Sequence, residues 1–191
     1  MRAFHLSALL PAFLAVEASV LEAPIPGYQV YVPEWEVQAT PGGPTIVLNG
    51  TVEEVVDKLH DINPNYEEFL NSTIEQSAAL QKRTDFSGTQ VFCGNFGAAE
   101  RDRFFAGIGY LRGIGGRPSN GAGPGNCGRV SCSWRAAIWW CNDARSQKTL
   151  SSYSSIADGA SRVLEVCRGD PLSGQAFHPT DWNVVLRQDS C

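Results

Sequence analysis

The sequence predicts an α+β fold, a small disulfide-stabilised sandwich preceded by a β-hairpin and a helix. Three observations predict it. All six cysteines follow a Lys82-Arg83 pair. Residues 84–191 alternate between strand and helix periodicities in the order β-α-β-β-α-β, which is typical of an antiparallel sheet with two helices on one face. Residues 19–83 contain two strand patterns and a capped helix.

The chain changes character at Lys82-Arg83. Residues 1–83 carry 11 Asp and Glu against 4 Lys and Arg, whereas residues 84–191 carry 9 acids and 11 bases. A dibasic pair is the recognition site of kexin-type processing proteases, although such a pair also suits a helix C-terminus. We predict cleavage after Arg83, which makes residues 19–83 an acidic propeptide that assists folding or masks activity. The alternative is a permanent N-terminal subdomain.

The first eighteen residues have the pattern of a secretory signal peptide. Arg2 precedes the apolar run LSALLPAFLAV, and Val16-Glu17-Ala18 places small residues at the cleavage positions, so Ala18 is the predicted last residue. The run is too short to span a bilayer, and no later segment approaches the roughly 20 apolar residues that a span needs. We therefore expect a secreted, extracellular protein without a membrane span.

The segment 19–83 has its own local signals. YQVYVPEWEVQA and GGPTIVLNG predict two strands around a Pro-Gly-Gly turn, and Thr51 with Glu54 forms a capping box at the start of TVEEVVDKLHDI. Asn49 and Asn71 begin N-x-Thr sequons, which are candidate glycosylation sites in a secreted chain. The first sequon overlaps the capping box, so Asn49 has a helix start as its alternative reading.

The elements of residues 84–191 follow in order. GTQVFC ends a strand, and the next helix places Phe104, Phe105, Ile108 and Leu111 on one face before Gly115-Gly116. GRVSCSW and AAIWWCND predict a hairpin around Arg135. SSYSSIADGASRVLEVC predicts the most regular helix, RGDPLSGQAFHPTD a loop, and WNVVLRQDSC the last strand. The glycine-rich stretch before the hairpin lacks the Gly-Lys-Ser/Thr ending of a phosphate loop and predicts a connector.

The cysteines predict a framework rather than a metal site. An even number in a secreted chain favours three disulfides, with 15 possible pairings, and about 108 residues form a core small enough to need them. No CxxC occurs and the domain holds one histidine, so we expect no metal and no cofactor. The disulfide-forming residues are Cys93, Cys127, Cys132, Cys141, Cys167 and Cys191.

The end of the chain resembles a known group of proteins. The stretch VCRGDPLSGQAF, the final WNVVLRQDSC and the Lys-Arg pair after a cysteine-free leader are similar to small secreted cysteine-rich fungal proteins, and within them to the killer-toxin-like α/β-sandwich family. The resemblance implies a secreted fungal effector or toxin, a virulence or antagonistic factor that acts without a cofactor.

Candidate catalytic groups are few. His178 lies in a predicted loop, and a lone loop histidine is usually solvated. Glu100 and Glu165 could pair with it in a ribonuclease-like hydrolase, but both fall on predicted helices rather than on the sheet face that such a site needs. Because no nucleophile elbow or HExxH pair accompanies them, the sequence favours a protein that binds rather than an enzyme.

Tryptophans are the remaining signal for function. Adjacent Trp139 and Trp140 in one strand must face opposite sides, so one of them could meet solvent and stack on a sugar or anchor a protein interface. The alternative is that the tryptophans fill the core. A net charge of +2 after residue 83 is too small for nucleic-acid binding. The expected partner is an extracellular protein or a cell-wall carbohydrate, besides the propeptide itself.

Overall fold

The computed structural model describes residues 21–80 and 83–191; the predicted signal peptide with Ala18, and Lys82, lie outside the described residues. The helices are α1 Val52–Ile62, α2 Tyr66–Leu80, α3 Arg103–Gly113 and α4 Ser154–Val166. The strands are β1 Gln29–Tyr31, β2 Glu34–Gln38, β3 Thr45–Asn49, β4 Val91–Cys93, β5 Ser119–Asn120, β6 Asn126–Ser133, β7 Ala136–Asn142, β8 Lys148–Thr149, β9 Gly174–His178 and β10 Trp182–Gln188. The predicted α+β class is confirmed.

A six-stranded sheet in the order β1-β6-β7-β10-β9-β4 forms the centre of the molecule. Neighbours from β6 to β4 are antiparallel, but β1 pairs with β6 in parallel, with Gln29 opposite Asn126. The sheet as a whole is therefore mixed, whereas the paired strands of this sheet that lie within residues 84–191 are antiparallel, as predicted for that segment. The difference arises because β1 belongs to the segment predicted as a propeptide, yet it joins the sheet as an edge strand.

Two predictions are wrong, one about an element and one about a buried residue. The stretch predicted as a loop after α4 contains β9, which forms a hairpin with β10. β9 begins at Gly174 and is followed by Pro179, so its five residues are too few to show a clear periodicity. Phe105, predicted to face the core, is 55% exposed. The β6–β7 hairpin around Arg135 is confirmed, and so is the capping box of Thr51 and Glu54 at α1.

The main core lies between the sheet and the helices. α3 packs against β6 and β7, and α4 packs against β9 and β10, so both helices share one face of the sheet. The hairpin β2–β3 closes the same core, because Trp35 stacks on Tyr153 at a ring-centroid distance of 4.1 Å. The Tyr153 hydroxyl donates to the Glu34 carbonyl at 2.9 Å.

A second, smaller core lies on the opposite face of the sheet. Trp139, Val185 and the Cys127–Cys141 disulfide form its floor. Its cover is mainly the first described stretch of the chain, with Leu21, Ala23, Ile25, Tyr28 and Val30 packed against it. Residues 21–80 therefore contribute to the packing on both faces of the sheet.

Three disulfides join all six cysteines, as predicted: Cys93–Cys167, Cys127–Cys141 and Cys132–Cys191. All three lie within residues 93–191, so none of them links residues 21–80 to the rest of the chain. Across the described ranges, no helix is long and apolar enough to cross a membrane. The same ranges contain no group of three or more His, Cys, Asp or Glu side chains placed to hold a metal ion.

Candidate binding site at the β6–β7 turn

The turn between β6 and β7 holds two large side chains in an unfavourable backbone conformation. Trp134 and Arg135 have φ angles of 50° and 65°. A two-residue hairpin turn with positive φ at both positions favours Asn-Gly, since a Cβ atom crowds the backbone there. Such strain costs of order 1–3 kcal/mol for each residue and tends to occur at functional sites. The turn therefore marks a candidate site.

Trp134 is also the most exposed large hydrophobic side chain in the described part of the chain, at 76%. The other four tryptophans, Trp35, Trp139, Trp140 and Trp182, are almost completely buried. An indole ring that stays exposed buries little apolar surface on folding, whereas a partner that covers it gains a large apolar contact. The turn thus presents an aromatic anchor to solvent.

The end of the chain holds the turn in place. The Cys132–Cys191 disulfide lies two residues before Trp134, and the Asp189 amide donates to the Arg135 carbonyl at 3.1 Å. With its amide oxygen turned towards Arg135, Gln188 accepts a hydrogen bond from Arg135 Nε at 3.2 Å. The turn is therefore anchored on both sides, which lowers the entropy that binding would cost.

A cavity of about 440 Å³ opens beside the turn, within the size range of small-molecule and anchor pockets. It brings the turn together with the segment before α3 and the segment after α4. Apolar and polar groups both line it, so it offers a surface for packing and several hydrogen-bonding groups. The lining residues are Ala98, Ala99, Glu100, Arg103, Trp134, Arg135, Pro171 and Gln188.

Charge at the site is mixed, with Arg103 and Arg135 on one side of the balance and Glu100 and the nearby Asp102 on the other. The Arg103 guanidinium lies 5.6 Å from the centre of the Trp134 ring, within cation–π range. Its Nε atom donates to Glu100 Oε2 at 2.9 Å, and this hydrogen bond, with the nearby charge of Asp102, raises the pKa of Arg103. Arg103 and Arg135 are therefore two cations beside one exposed indole, with Glu100 oriented by Arg103.

Comparison of the chain with family models, with curated proteins and with solved structures found no match. The resemblance to the killer-toxin-like family stays a prediction, and the site is interpreted from its own geometry.

The two tryptophans predicted for binding are not on the surface. Trp139 and Trp140 do face opposite sides of β7, as predicted, but each side is covered: Trp140 lies in the main core and Trp139 in the second core, and both are fully buried. The proposal that one of them meets solvent is therefore wrong for this structure. The reason is that residues 21–30 cover the face of the sheet that residues 84–191 alone would leave open.

The groups considered for a hydrolase have separate partners. Glu100 pairs with Arg103 and Glu165 with Arg162. The His178 ring stacks on Trp182 and accepts from or donates to Thr180 at 2.9 Å. Burial, and secondly the charge of Lys148, lowers the pKa of His178. Each of the three groups therefore has a partner other than the two with which it was considered.

The predicted modification sites lie on the surface. Arg83 is exposed, as its recognition by a protease requires. Asn49 is exposed at the end of β3, and Asn71 is exposed on α2 rather than in a loop. Cleavage and glycosylation stay predictions.

Sequence reasoning missed Trp134 as the site residue, although a signal was present. The predicted strands GRVSCSW and AAIWWCND leave only Arg135 between them, and since a hairpin turn needs at least two residues, Trp134 has to share the tip with it. An aromatic residue and an arginine in place of Asn-Gly at such a tip point to a contact surface. The pocket beside it could not be predicted, because its walls come from residues separated by up to 90 positions.

Proposed function

We propose that this protein is a secreted effector or killer-toxin-like antagonist that acts by binding an extracellular protein of a host or competitor. The single observation that carries the proposal is Trp134, which is exposed on a strained turn and lies beside Arg135 and Arg103. Tryptophan and arginine are the residue types most enriched among binding hot spots. Both arginines can donate to a carboxylate on the target surface, which gives the contact orientation and specificity.

The disulfides support the location of this activity. Three disulfides fit an oxidising compartment, and the proposed route is a signal peptide that ends at Ala18 followed by processing after Arg83. Every residue that lines the cavity falls between positions 98 and 188, so the site belongs to the proposed mature chain. The proposed action involves no turnover and no cofactor.

A surface-binding assay with matched variants tests the proposal. Labelled protein is incubated with intact plant and fungal cells, and the bound fraction is compared for wild type, Trp134→Ala and Phe92→Ala. Phe92 is an exposed aromatic residue on β4, so it controls for general stickiness. We expect Trp134→Ala to lower affinity at least tenfold, corresponding to a hot spot of about 1.4 kcal/mol or more, with Phe92→Ala near wild type. Equal binding by all three proteins would exclude the Trp134 site.

A cell-wall carbohydrate is the second candidate target. The cavity combines an indole ring with the planar polar groups of Glu100, Arg135 and Gln188, and this combination suits stacking on a sugar with hydrogen bonds to its hydroxyls.

Pretreatment of the cells distinguishes the two targets. If the target is a protein, treatment with a broad protease abolishes Trp134-dependent binding and treatment with chitinase or glucanase does not. The opposite pattern, together with retention on insoluble chitin or glucan, identifies the carbohydrate.

A further inference from the structure

Thr84 lies in a site that already has the geometry to hold a free amino terminus. Its backbone nitrogen donates to Asp158 Oδ2 at 2.8 Å, and its hydroxyl donates to Ser155 Oγ at 2.8 Å. Ser155 and Asp158 are one turn apart on α4. The residue that the sequence predicts to become the new N-terminus is thus bound through its own nitrogen to a carboxylate.

That carboxylate is buried and already paired with a cation. The Asp158 side chain is only 8% exposed, and its other oxygen accepts from Arg112 Nη1 at 3.0 Å. Buried carboxylates are costly unless they are paired and hydrogen-bonded. Here the two oxygens have separate partners, one a permanent cation from α3 and the other a nitrogen that becomes a cation only if the chain is cut.

We propose that cleavage after Arg83 converts the Thr84–Asp158 hydrogen bond into an ion pair that fixes the new amino terminus on α4. This inference rests on the processing step of the proposed function. Hydrolysis breaks the bond between the Arg83 carbonyl carbon and the Thr84 nitrogen. The oxygen of one water goes to the carbonyl carbon and both its hydrogens go to the nitrogen, which gives a carboxylate on Arg83 and an ammonium on Thr84.

The surroundings allow the amino terminus to form without rebuilding the site. Arg83 is exposed and lines a surface cavity of about 150 Å³ together with Arg112, Asp158, Arg162 and Glu165. The Arg83 carboxylate can therefore leave towards solvent while Thr84 stays in place. The hydrogen bond already has an ionised acceptor, and a positive charge on the nitrogen adds a Coulomb attraction between the two groups.

The ion pair has a defined pH dependence. An α-ammonium group ordinarily has a pKa of about 8, and a carboxylate at hydrogen-bond distance raises it. Since the folded pKa then exceeds the unfolded one, the pair stabilises the cut protein fully below about pH 8 and loses this effect as pH rises through the folded pKa. The other charged groups near the amine are Asp85, Arg112, Arg162 and Glu165. Wild type and Asp158→Asn share all four of them, so a difference in the amine pKa between these two proteins reports on Asp158.

The experiment measures the pKa of the Thr84 amine by NMR. The full chain, labelled with ¹³C,¹⁵N-threonine and expressed without processing protease, is cut in vitro with a kexin-type protease and titrated from pH 5 to 10. We expect a pKa at least about one unit above the value measured in urea, which corresponds to tenfold stronger protonation in the fold. Asp158→Asn keeps an acceptor oxygen but removes the charge, and should return the pKa towards about 8. Glu165 lines the same cavity and is paired with Arg162, so Glu165→Gln should leave the raised pKa in place.

The outcomes separate this inference from the proposed function. If the wild-type amine has the same pKa in the folded protein and in urea, the ion pair does not form, and this conclusion holds even if Asp158→Asn does not fold. That result would not bear on the proposed binding site at Trp134. Intact mass of the protein secreted by its native host checks the processing step itself. A species that begins at Thr84 supports the inference, and a species that keeps the Arg83–Thr84 bond overturns it.

Discussion

His178 shows at the scale of a single residue how packing sets a titration. Its ring lies 4.8 Å from the Trp182 ring and 5.2 Å from the Phe86 ring, measured between centroids. Burial there disfavours the imidazolium and lowers the pKa of His178, with Lys148 acting in the same direction and Asp85 against it. The neutral ring is therefore the form that the fold prefers.

We expect this preference to make stability depend on pH. Because the folded pKa lies below the unfolded value of about 6.5, the unfolded state binds the proton first, and stability falls as pH drops below about 6.5. Urea midpoints at pH 7.5 and 5.5 should therefore differ more for wild type than for His178→Gln. His60→Gln, on the exposed side of α1, should retain the wild-type difference. An equal difference in His178→Gln would exclude His178 as the source.

At the scale of an element, alanine substitutions of two glycines, in helices of similar length, should change the stability of the protein in opposite directions. A Cβ atom on Gly159 of α4 would lie 2.6 Å from Val184 Cγ2 and 2.8 Å from Phe86 Cζ, whereas one on Gly109 of α3 would have no neighbour within 4 Å. Gly159→Ala should cost about 1–3 kcal/mol through overpacking between α4 and β10. Gly109→Ala should stabilise the protein by about 0.5–1 kcal/mol through helix propensity. Urea unfolding of both variants checks the pair; a gain in both would show that α4 can move away from the sheet.

The β6–β7 turn makes the second prediction at this scale. Replacing Trp134-Arg135 by Asn-Gly supplies the residues that the positive φ angles favour, and we expect the hairpin and the whole protein to gain about 1–3 kcal/mol. Binding to the target should fall together with this gain. Thermal unfolding and the cell-binding assay on the same preparation measure both. A variant that binds as well as wild type would show that the turn residues do not form the contact surface.

The elements also show where sequence patterns were sufficient. The face of α4 was predictable because Ile156, Ala160 and Val163 recur at helical spacing, and all three are buried. β1 was not predictable as part of the main sheet, because its partner β6 lies about 97 residues away and no local pattern encodes that pairing. Phe105 was misplaced because a helix of eleven residues offers few turns from which to fix its buried face. Trp139 was misplaced because its cover comes from outside the domain considered.

At the scale of the whole molecule, residues 21–80 are part of the packing, but no disulfide ties them to the cysteine-rich part. The Glu53 carboxylate on α1 accepts hydrogen bonds from the Ser131 hydroxyl and, at 3.0 Å, from the Cys132 amide. Trp35 is fully buried and donates to the Gly50 carbonyl at 2.9 Å while it stacks on Tyr153. The predicted acidic segment thus accepts hydrogen bonds from Ser131 and Cys132 and packs an aromatic ring against Tyr153 of the cysteine-rich part.

This arrangement predicts the behaviour of the chain after cleavage at Arg83. Since residues 21–80 contribute to both cores and no disulfide crosses residue 83, the two pieces should co-elute on native gel filtration and separate on denaturing gels without reductant. Trp35→Ala removes a fully buried ring and should weaken the association by about 3–5 kcal/mol, so its pieces separate at far lower concentrations of urea. Val47→Ala, on the exposed side of β3, is the matched control and should co-elute like wild type. If wild-type pieces separate without denaturant, residues 21–30 leave the second core, and Trp139 becomes the exposed aromatic residue that the sequence predicts.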